Sequence, residues 1–392
     1  MHRITLLLIL ALMLAACAPV DAPSPTPTSD ERPTPTAVPL TVQGWTAAAE
    51  PITAQNAPRL RPLGELRTIE PFSTLFAYAI SPDGTRLAAL NFDFLTVWDL
   101  IDGSTMFTLE RLGATQVYYA PDKSTLYLLA PDGMVRVLDA ETGNQRDTFR
   151  AHPDFSGAVA YVADVGLLAL GGNDGTLKVW DVVERRSLVT FGEGAAVSAL
   201  ALSPDGELLL SALANGNAAL WRWREQTSTA VTTLPAPPFA SVFSDDGRYA
   251  AISAGAVVVW DTLTGEARTL PAEHGGLLMQ FVRGQPYLMI DTLDALEIWN
   301  LQTNTRAAIL TDLQGAASAD TSPDGALMFG LVRNSESGAS LWGLANLARG
   351  SVARGSLNID TPTLFSVVWS ADGFSVLVFD VRGFVTVWGV AG

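Results

Sequence analysis

Cysteine, histidine and lysine are scarce in this sequence. Its 392 residues contain one cysteine, Cys17, and three histidines, so an internal disulfide and a zinc site built from cysteine and histidine are excluded by number. Lysine occurs only at Lys123 and Lys178. Acidic residues outnumber basic ones by 40 to 24, which gives a net charge of −16, and a field of that sign repels phosphate backbones. We therefore expect no nucleic-acid partner.

Catalytic and metal-binding motifs are missing as well. The sequence has no GxSxG, HExxH or DxDxDG pattern, and the nearest approach to a phosphate-binding loop, residues 192–197, leads into a predicted strand and not into a helix. The aspartates occur about one per predicted turn, where turn chemistry explains them. We predict that the protein is not an enzyme and that it uses no cofactor and no metal ion.

Charge is also low overall. Charged residues make up 16% of the chain and hydrophobic residues 48%, whereas about 25% charged residues is usual. This balance indicates strands that are covered on both faces.

The first 16 residues have the pattern of an export signal. Arg3 is followed by an apolar run, Ile4 to Ala16, that is short for a membrane span and ends directly before Cys17. The run Leu14 to Cys17 resembles the lipobox of bacterial lipoproteins, which implies cleavage before Cys17 and a lipid on its thiol. The alternative is an ordinary secretory signal followed by an incidental cysteine. We expect an exported protein, anchored by lipid to the cell membrane or envelope, with its folded domain on the extracytoplasmic side.

A proline-rich segment follows the cysteine. Residues 18–40 hold seven prolines among Ser, Thr and acidic residues and have nothing with which to build a core. An extended chain of this length reaches about 70 Å. We predict a signal peptide over 1–16, a lipid anchor and tether over 17–40, a lead-in segment over 41–57, in which Trp45 and Ile52 dock on the domain, and a single domain over 58–392.

The domain is built from repeats marked by tryptophan. The marker residues that close successive predicted strands are Trp98, Trp180, Trp221, Trp260, Trp299, Trp342 and Trp388, with Leu138 in the second place. Their spacing averages about 41 residues, which is typical of propeller repeats.

A turn motif precedes the tryptophan in five units. Its copies are Ser81 to Gly84, Ser203 to Gly206, Ser244 to Gly247, Ser322 to Gly325 and Ser370 to Gly373. Proline, aspartate and glycine in this order favour a hairpin turn between two strands. Each unit thus predicts four short antiparallel strands.

The best copy of the repeat, LALGGNDGTLKVWD over residues 168–181, resembles the WD40 repeat. The resemblance covers roughly residues 58–392 and implies an all-β fold, a closed β-propeller of about eight four-stranded blades. It also implies a structural hydrogen-bond network, for which His152, Asp174 and Trp180 occupy matching positions. Leu170 stands where the family has a hydroxyl.

The ends of the repeat region predict how the ring closes. The chain stops at Gly392, directly after the third strand of its last unit. Residues 59–69 read as a fourth strand with no blade ahead of them, and adding them to the last blade removes two open sheet edges.

Few residues are left over as candidates for binding. Trp221 is a repeat marker and is expected in the core, which leaves Trp223 as a surplus tryptophan beside a blade edge. His152 and His274 fall in loops between blades. Residues 333–338 form a polar excursion that ring closure does not require, so Arg333, Asn334 and Glu336 are a candidate partner-binding loop.

The expected function is a non-catalytic scaffold or binding module with a protein or peptide partner, attached to the membrane through its lipidated N-terminus. Fold alone does not specify function. One alternative is an envelope-assembly lipoprotein of propeller fold. Another is a propeller hydrolase or lactonase that acts through carboxylates in the central channel.

Overall fold

The computed structural model describes residues 45–391, except 47, 54, 68–74, 92, 193, 272–277, 293–294, 311–318, 334–339, 347–350, 357–363, 371 and 381–383. All of these residues belong to one compact unit, Pro33–Gly392. Apart from two single-turn 3-10 helices, Ala57–Arg59 and Ala163–Val165, the regular structure described is β-strand. No helix in the described part is long and apolar enough to span a membrane.

The described strands form eight antiparallel sheets, seven of four strands and one of five. The chain starts with β1 (Ala48–Glu50) and β2 (Arg61–Arg67), which both join sheet 8. Sheets 1 to 4 consist of β3 (Leu75–Ile80), β4 (Arg86–Asn91), β5 (Phe94–Asp99) and β6 (Thr105–Glu110); β7 (Gln116–Tyr119), β8 (Thr125–Leu129), β9 (Met134–Asp139) and β10 (Gln145–Arg150); β11 (Phe155–Val162), β12 (Leu167–Gly172), β13 (Thr176–Asp181) and β14 (Arg186–Gly192); β15 (Val197–Leu202), β16 (Leu208–Leu213), β17 (Asn217–Arg222) and β18 (Thr227–Thr233).

The remaining four sheets repeat the same order. They consist of β19 (Ala240–Phe243), β20 (Tyr249–Ser253), β21 (Val257–Asp261) and β22 (Ala267–Leu270); β23 (Leu278–Phe281), β24 (Tyr287–Asp291), β25 (Leu296–Asn300) and β26 (Thr305–Leu310); β27 (Ala319–Thr321), β28 (Leu327–Arg333), β29 (Ser340–Asn346) and β30 (Ser351–Ser356); and β31 (Leu364–Trp369), β32 (Ser375–Asp380) and β33 (Phe384–Ala391) with β1 and β2. This count agrees with the number of units predicted from the tryptophan spacing.

Each sheet is a meander whose first strand lies innermost. The first strands of neighbouring sheets contact each other, as β3 does β7 and β11 does β15, whereas the fourth strands are the most exposed. In an antiparallel meander, the turns after the first and third strands lie at one end of the sheet. We call this end the first-turn end, and the other the opposite end.

The serine-containing turns have a common hydrogen-bond pattern. Each buried serine hydroxyl donates to the turn aspartate at 2.5 to 2.6 Å, in the pairs Ser81–Asp83, Ser203–Asp205, Ser244–Asp246, Ser322–Asp324 and Ser370–Asp372. The same hydroxyl accepts the backbone N–H five residues on, such as that of Arg86. Gly84 has a φ of 73°, a conformation that favours glycine. The turn motif therefore fixes where each second strand begins.

A hydrophobic cluster fills each junction between neighbouring sheets, and the described residues form eight such clusters. Trp98 lies between sheets 8 and 1, Trp260 between sheets 4 and 5, and Trp369 between sheets 7 and 8, each at most 1% exposed. Every sheet thus covers both of its faces with its two neighbours. The predicted all-β propeller fold is confirmed.

Sheet 8 combines both ends of the folded chain. β2 pairs with β33 from Arg61 opposite Gly389 to Arg67 opposite Phe384, and its Leu63 and Leu66 are buried. The closing strand predicted within residues 59–69 is confirmed. On the inner side, the Tyr78 ring of sheet 1 stacks on Phe379 of sheet 8 at 4.2 Å between centroids.

The lead-in segment makes more contacts with the domain than the sequence predicted. β1 continues the pairing along β33, with Ala48 opposite Ala391, and Ile52 is buried in the cluster between sheets 7 and 8. The Trp45 indole N–H donates to the carbonyl oxygen of Ile101 at 3.0 Å, in a turn at the first-turn end of sheet 1. The described residues within 45–57 are therefore part of the folded structure.

Truncation should separate the tether from the closing strand. A variant lacking residues 1–44 should unfold at about the temperature of the full chain, because it keeps Trp45 and β1. A variant lacking residues 1–69 loses Leu63 and Leu66 from the core and should unfold about 5 °C lower or more. Differential scanning calorimetry of the two variants checks this, and equal unfolding temperatures would show that β2 does not stabilise the ring.

Candidate functional site

His152 and Asp174 are connected through a third residue, Thr176. The Nδ1 atom of His152 accepts the backbone N–H of Asp154 at 3.1 Å, so Nε2 carries the proton and donates to the Thr176 hydroxyl at 2.9 Å. That hydroxyl donates to the Asp174 carboxylate at 2.6 Å. The three side chains form a directed chain of hydrogen bonds between the loop before β11 and the turn before β13.

Burial keeps this histidine neutral. His152 is fully buried, and burial together with the nearby charge of Lys178 lowers its pKa. A Cβ atom at Gly172 would collide with the His152 ring and the Asp174 carboxylate. The strand β12 beside the network therefore requires glycine at position 172. With both ring nitrogens engaged, His152 has a structural role.

The tryptophans of sheets 3 and 4 differ from the sequence expectation. Trp180 is half-buried and donates to the carbonyl oxygen of Ala151 at 2.9 Å, beside the network but without bonding to His152 or Asp174. Trp221 is likewise half-buried and donates to the Ser211 hydroxyl at 2.9 Å.

Trp223 is the core residue of this pair. It is 1% exposed, donates to the carbonyl oxygen of Gly206 at 2.8 Å and carries the Arg224 guanidinium 4.2 Å above its ring. The expectation that Trp221 is the core residue and Trp223 the surplus one was wrong. Trp223 occupies the position that Val182 and Leu301, also buried, hold in sheets 3 and 6.

The remaining predicted site residues lie at the limits of the described chain. Arg333 ends β28, and nothing is described of its side chain, while Asn334, Glu336 and His274 fall outside the described residues. Cys17 lies outside them too. The partner-binding loop and the lipid site stay predictions.

Two carboxyl groups that are buried or half-buried bear on the hydrolase alternative. Asp320 of β27 is buried and accepts hydrogen bonds from the Gln280 amide at 2.6 Å and the Trp369 backbone N–H at 2.8 Å, so it links sheets 6, 7 and 8. Burial raises the pKa of Asp291 to about 7, but this residue ends β24, a second strand. The two groups lie in different layers of the ring, and Asp320 already serves as a structural acceptor.

A cavity of about 410 Å³ lies among the first strands of sheets 1, 2 and 3. Its lining includes four tyrosines, Tyr78, Tyr118, Tyr119 and Tyr161. The rings of Tyr118 and Tyr161 are 4.8 Å apart at 41° and form a corner. Pro82 and Asp164, at the first-turn end, complete the lining on that side. We call this space the tyrosine cavity.

Several polar side chains of the tyrosine cavity have no hydrogen-bond partner among the described residues. The Tyr161 hydroxyl donates to the carbonyl oxygen of Tyr119 at 2.8 Å, and the Tyr78 hydroxyl bonds to that of Ser366 at 2.8 Å. Within the described part of the chain, by contrast, the Tyr118 hydroxyl and the side chains of Gln116 and Asp164 make no hydrogen bond or ion pair. These groups are available to a ligand.

The cavity has an anionic character. Asp164 is its charged lining residue, and no Lys or Arg of the described chain lines it. Two cations at the first-turn end of sheets 1 and 2 are paired, Lys123 with Asp83 at 2.7 Å and Arg86 with Glu141 at 3.2 Å. Burial raises the pKa of the Tyr118 hydroxyl, so this group stays protonated and can both donate and accept.

Comparison with known proteins identifies two segments of the chain as repeats of a known family. The family model for the WD40 repeat, described as "WD domain, G-beta repeat", matches residues 143–181 and 185–222. These residues include His152, Asp174 and Trp180. These matches support a WD40-repeat β-propeller. WD40 propellers are typically protein-interaction scaffolds.

This chain is similar in part to several known proteins. It is 26% identical over 199 residues to Protein LST8 homolog of Drosophila melanogaster, which covers 46% of this chain and 63% of that protein. It is also 26% identical over 182 residues to Mitotic checkpoint protein BUB3.3 of Arabidopsis thaliana, covering 43% of this chain and 58% of that protein. The chain thus matches less than two thirds of the length of these relatives.

A solved structure supports the fold. The crystal structure of the computationally designed Ika8 protein aligns with a TM-score of 0.66 over 83% of this chain and 99% of that one, at 19% identity. At this identity the likeness shows the β-propeller fold and nothing about function.

Neither Thr176 nor the tyrosine cavity was predicted from the sequence. The hydroxyl of the WD40 network was expected at residue 170, which is leucine, whereas Thr176 supplies this hydroxyl from the next strand. Tyr118 and Tyr161 are both the last but one residue of a first strand, in sheets 2 and 3. Aligning the repeats by their first strands would have shown this coincidence.

The lowered pKa of His152 predicts a specific pH dependence. Between its ordinary pKa of about 6.5 and its lower folded-state value, the unfolded chain binds the proton and the folded chain does not, so stability falls as the pH decreases through this window. Replacing His152→Gln should reduce the loss of unfolding temperature between pH 7.5 and pH 5. Thermal denaturation at both pH values, with His274→Gln as the control, measures it, and identical losses in all three proteins would refute the assignment.

Proposed function

We propose that this WD40 propeller is a non-catalytic protein-interaction scaffold that holds a peptide segment of its partner in the tyrosine cavity, and that it is exported and anchored to the cell envelope by a lipid on Cys17. The family supports the general role. The position of the site and the anchoring are the specific parts of the proposal.

The observation that carries the proposal is the contrast between the tyrosine cavity and the other polar groups near the centre. His152 and Asp320 are buried and engaged in hydrogen bonds that hold loops and sheets together. The cavity instead presents the uncommitted groups of Gln116, Tyr118 and Asp164 on a rigid ring. Polar groups on a rigid apolar surface are what a binding site requires.

Its shape and position suit a peptide. The cavity volume falls within the usual range of about 300 to 1,000 Å³ for ligand sites, and its lining extends from Gln116 along β7 to Pro82 and Asp164 at the first-turn end. Tyrosine is enriched in the energetically dominant positions of protein interfaces. A partner segment can therefore insert a side chain between the first strands of three sheets.

The anchoring rests on the sequence and on the position of Trp45. Trp45 fastens the N-terminal part of the chain to the turn that contains Ile101, at the first-turn end of sheet 1. Residues 17–44 would then connect this point to the lipid. At about 3 Å per residue for an extended chain, this distance leaves the cavity accessible to a partner.

Site-specific cross-linking tests the scaffold role. With photoreactive p-benzoylphenylalanine in place of Ala163, which lines the cavity, irradiation of intact cells should join the protein to one or a few discrete proteins. The matched control carries the same group in place of Val231, 67% exposed on the outer strand β18. The same adducts from both positions, or none from residue 163, would contradict the proposed site.

Intact mass spectrometry tests the anchor. Protein extracted from membranes should begin at Cys17 and exceed the mass of that polypeptide by its acyl chains, and Cys17→Ser should move the folded protein into the soluble fraction. Ser24→Ala, a substitution of similar size in the tether, is the control and should leave the protein in the membrane fraction. An unmodified Cys17, or cleavage elsewhere, would show an ordinary secretory signal.

A further inference from the structure

We infer that the tyrosine cavity receives the cationic side chain of an arginine or lysine in the partner's peptide segment. This inference rests on the proposed function and specifies the chemistry of the ligand. Its basis is the coincidence, in one cavity, of aromatic rings, acceptors and a carboxylate that have no hydrogen-bond or ion-pair partner among the described residues.

The aromatic rings supply the first part of the recognition. Tyr118 and Tyr161 meet at 41° with 4.8 Å between centroids, so the corner between them presents ring surface from two directions. Tyr78 lines the same cavity and is held by its stacking on Phe379. A guanidinium or ammonium group is attracted to the faces of such rings, by about 0.5 to 2 kcal/mol depending on exposure.

The acceptors supply the second part. The Asp164 carboxylate, the Gln116 amide oxygen and the Tyr118 hydroxyl oxygen can each accept a hydrogen bond from a cation, and none is engaged within the described chain. Asp164 lies exposed at the first-turn end, where the charged tip of a long side chain could reach it. A charge-assisted hydrogen bond to a carboxylate is stronger than one between neutral groups.

The charge around the cavity argues against other ligand classes. An anionic group would meet Asp164 in a protein of net charge −16, where like charges repel. A proline or aliphatic side chain would cover the rings but would leave the polar groups of Gln116 and Tyr118 without partners, which costs free energy. A cation satisfies both the rings and the acceptors.

Calorimetric titration of the purified full-length protein with a set of matched peptides tests the inference. The probes are acetyl-Gly-Ser-Arg-Ser-Gly-amide and its counterparts with Lys, Gln, Glu or Pro at the centre, and arginine amide alone distinguishes a peptide from a free amine. The Arg and Lys peptides should bind, and more tightly than arginine amide. Raising the salt concentration should weaken them, because exposed charges are screened.

Two charge-removing variants locate the site. Asp164→Asn should weaken the Arg peptide about fivefold, within the range expected for a partly exposed ion pair. Glu184→Gln removes the same charge at the first-turn end of the same sheet, but outside the cavity lining, and should leave the dissociation constant unchanged. Tyr118→Leu, checked for its unfolding temperature, should weaken the Arg and Lys peptides because it removes a ring face.

The outcomes separate this inference from the proposed function. Equal binding of the Gln or Pro peptide, a silent Asp164→Asn, or no binding of any peptide would overturn the cationic ligand, even where residue 163 still cross-links to a partner. Failure of both the peptides and the cross-link would overturn the scaffold site itself.

Discussion

The structure depends on one constraint, which is that no sheet of this chain can bury its two apolar faces without two neighbours. Second strands such as β8 and β20 are buried along their whole length, so an isolated sheet would expose them on both sides. Only a closed arrangement gives each sheet two neighbours and leaves no outer face, and the eight clusters between the described parts of the sheets are the result. The tryptophans at these junctions, such as Trp98 and Trp369, fill the largest gaps.

Ring closure also determines which polar groups bond within the protein and which can bind a ligand. Asp320 ties three neighbouring sheets together, and the His152–Thr176–Asp174 chain fixes a loop against a turn. Asp320 and His152 are buried and must find partners within the protein. In the tyrosine cavity the Tyr118 hydroxyl is not required for this purpose, because the Tyr161 hydroxyl already satisfies the local backbone carbonyl. The Tyr118 hydroxyl is therefore available for binding a ligand.

Much of the fold was predictable because it repeats. The turn motif fixes the start of each second strand through the same serine and aspartate bonds, as at Ser81 and Asp83, and such local chemistry can be read from the sequence. The closing strand was predictable because a sheet that lacks one strand and a strand that lacks a sheet fit only each other.

The candidate site was less predictable because it depends on which side of a strand faces the centre. The position of the tryptophan marker does not determine whether its ring is buried, since Trp221 in β17 is half-buried and Trp223, just after the strand, is fully buried. Thr176 joins His152 from a neighbouring strand, so alignment to a fixed position at residue 170 could not find it. The tyrosine corner arises between two sheets, and no motif within one repeat contains it.

The composition of sheet 8 has a consequence for how the protein reaches its final state. Its outer strand β2 leaves the ribosome long before its partner β33 is made. Until the last residues arrive, Leu63 and Leu66 have no strand to pair with, and the row of N–H and C=O groups on β2 is open to any extended chain nearby. The ring therefore closes only after β33 has been made. A chain that ends before β33 keeps unpaired strand edges, which can associate with other chains.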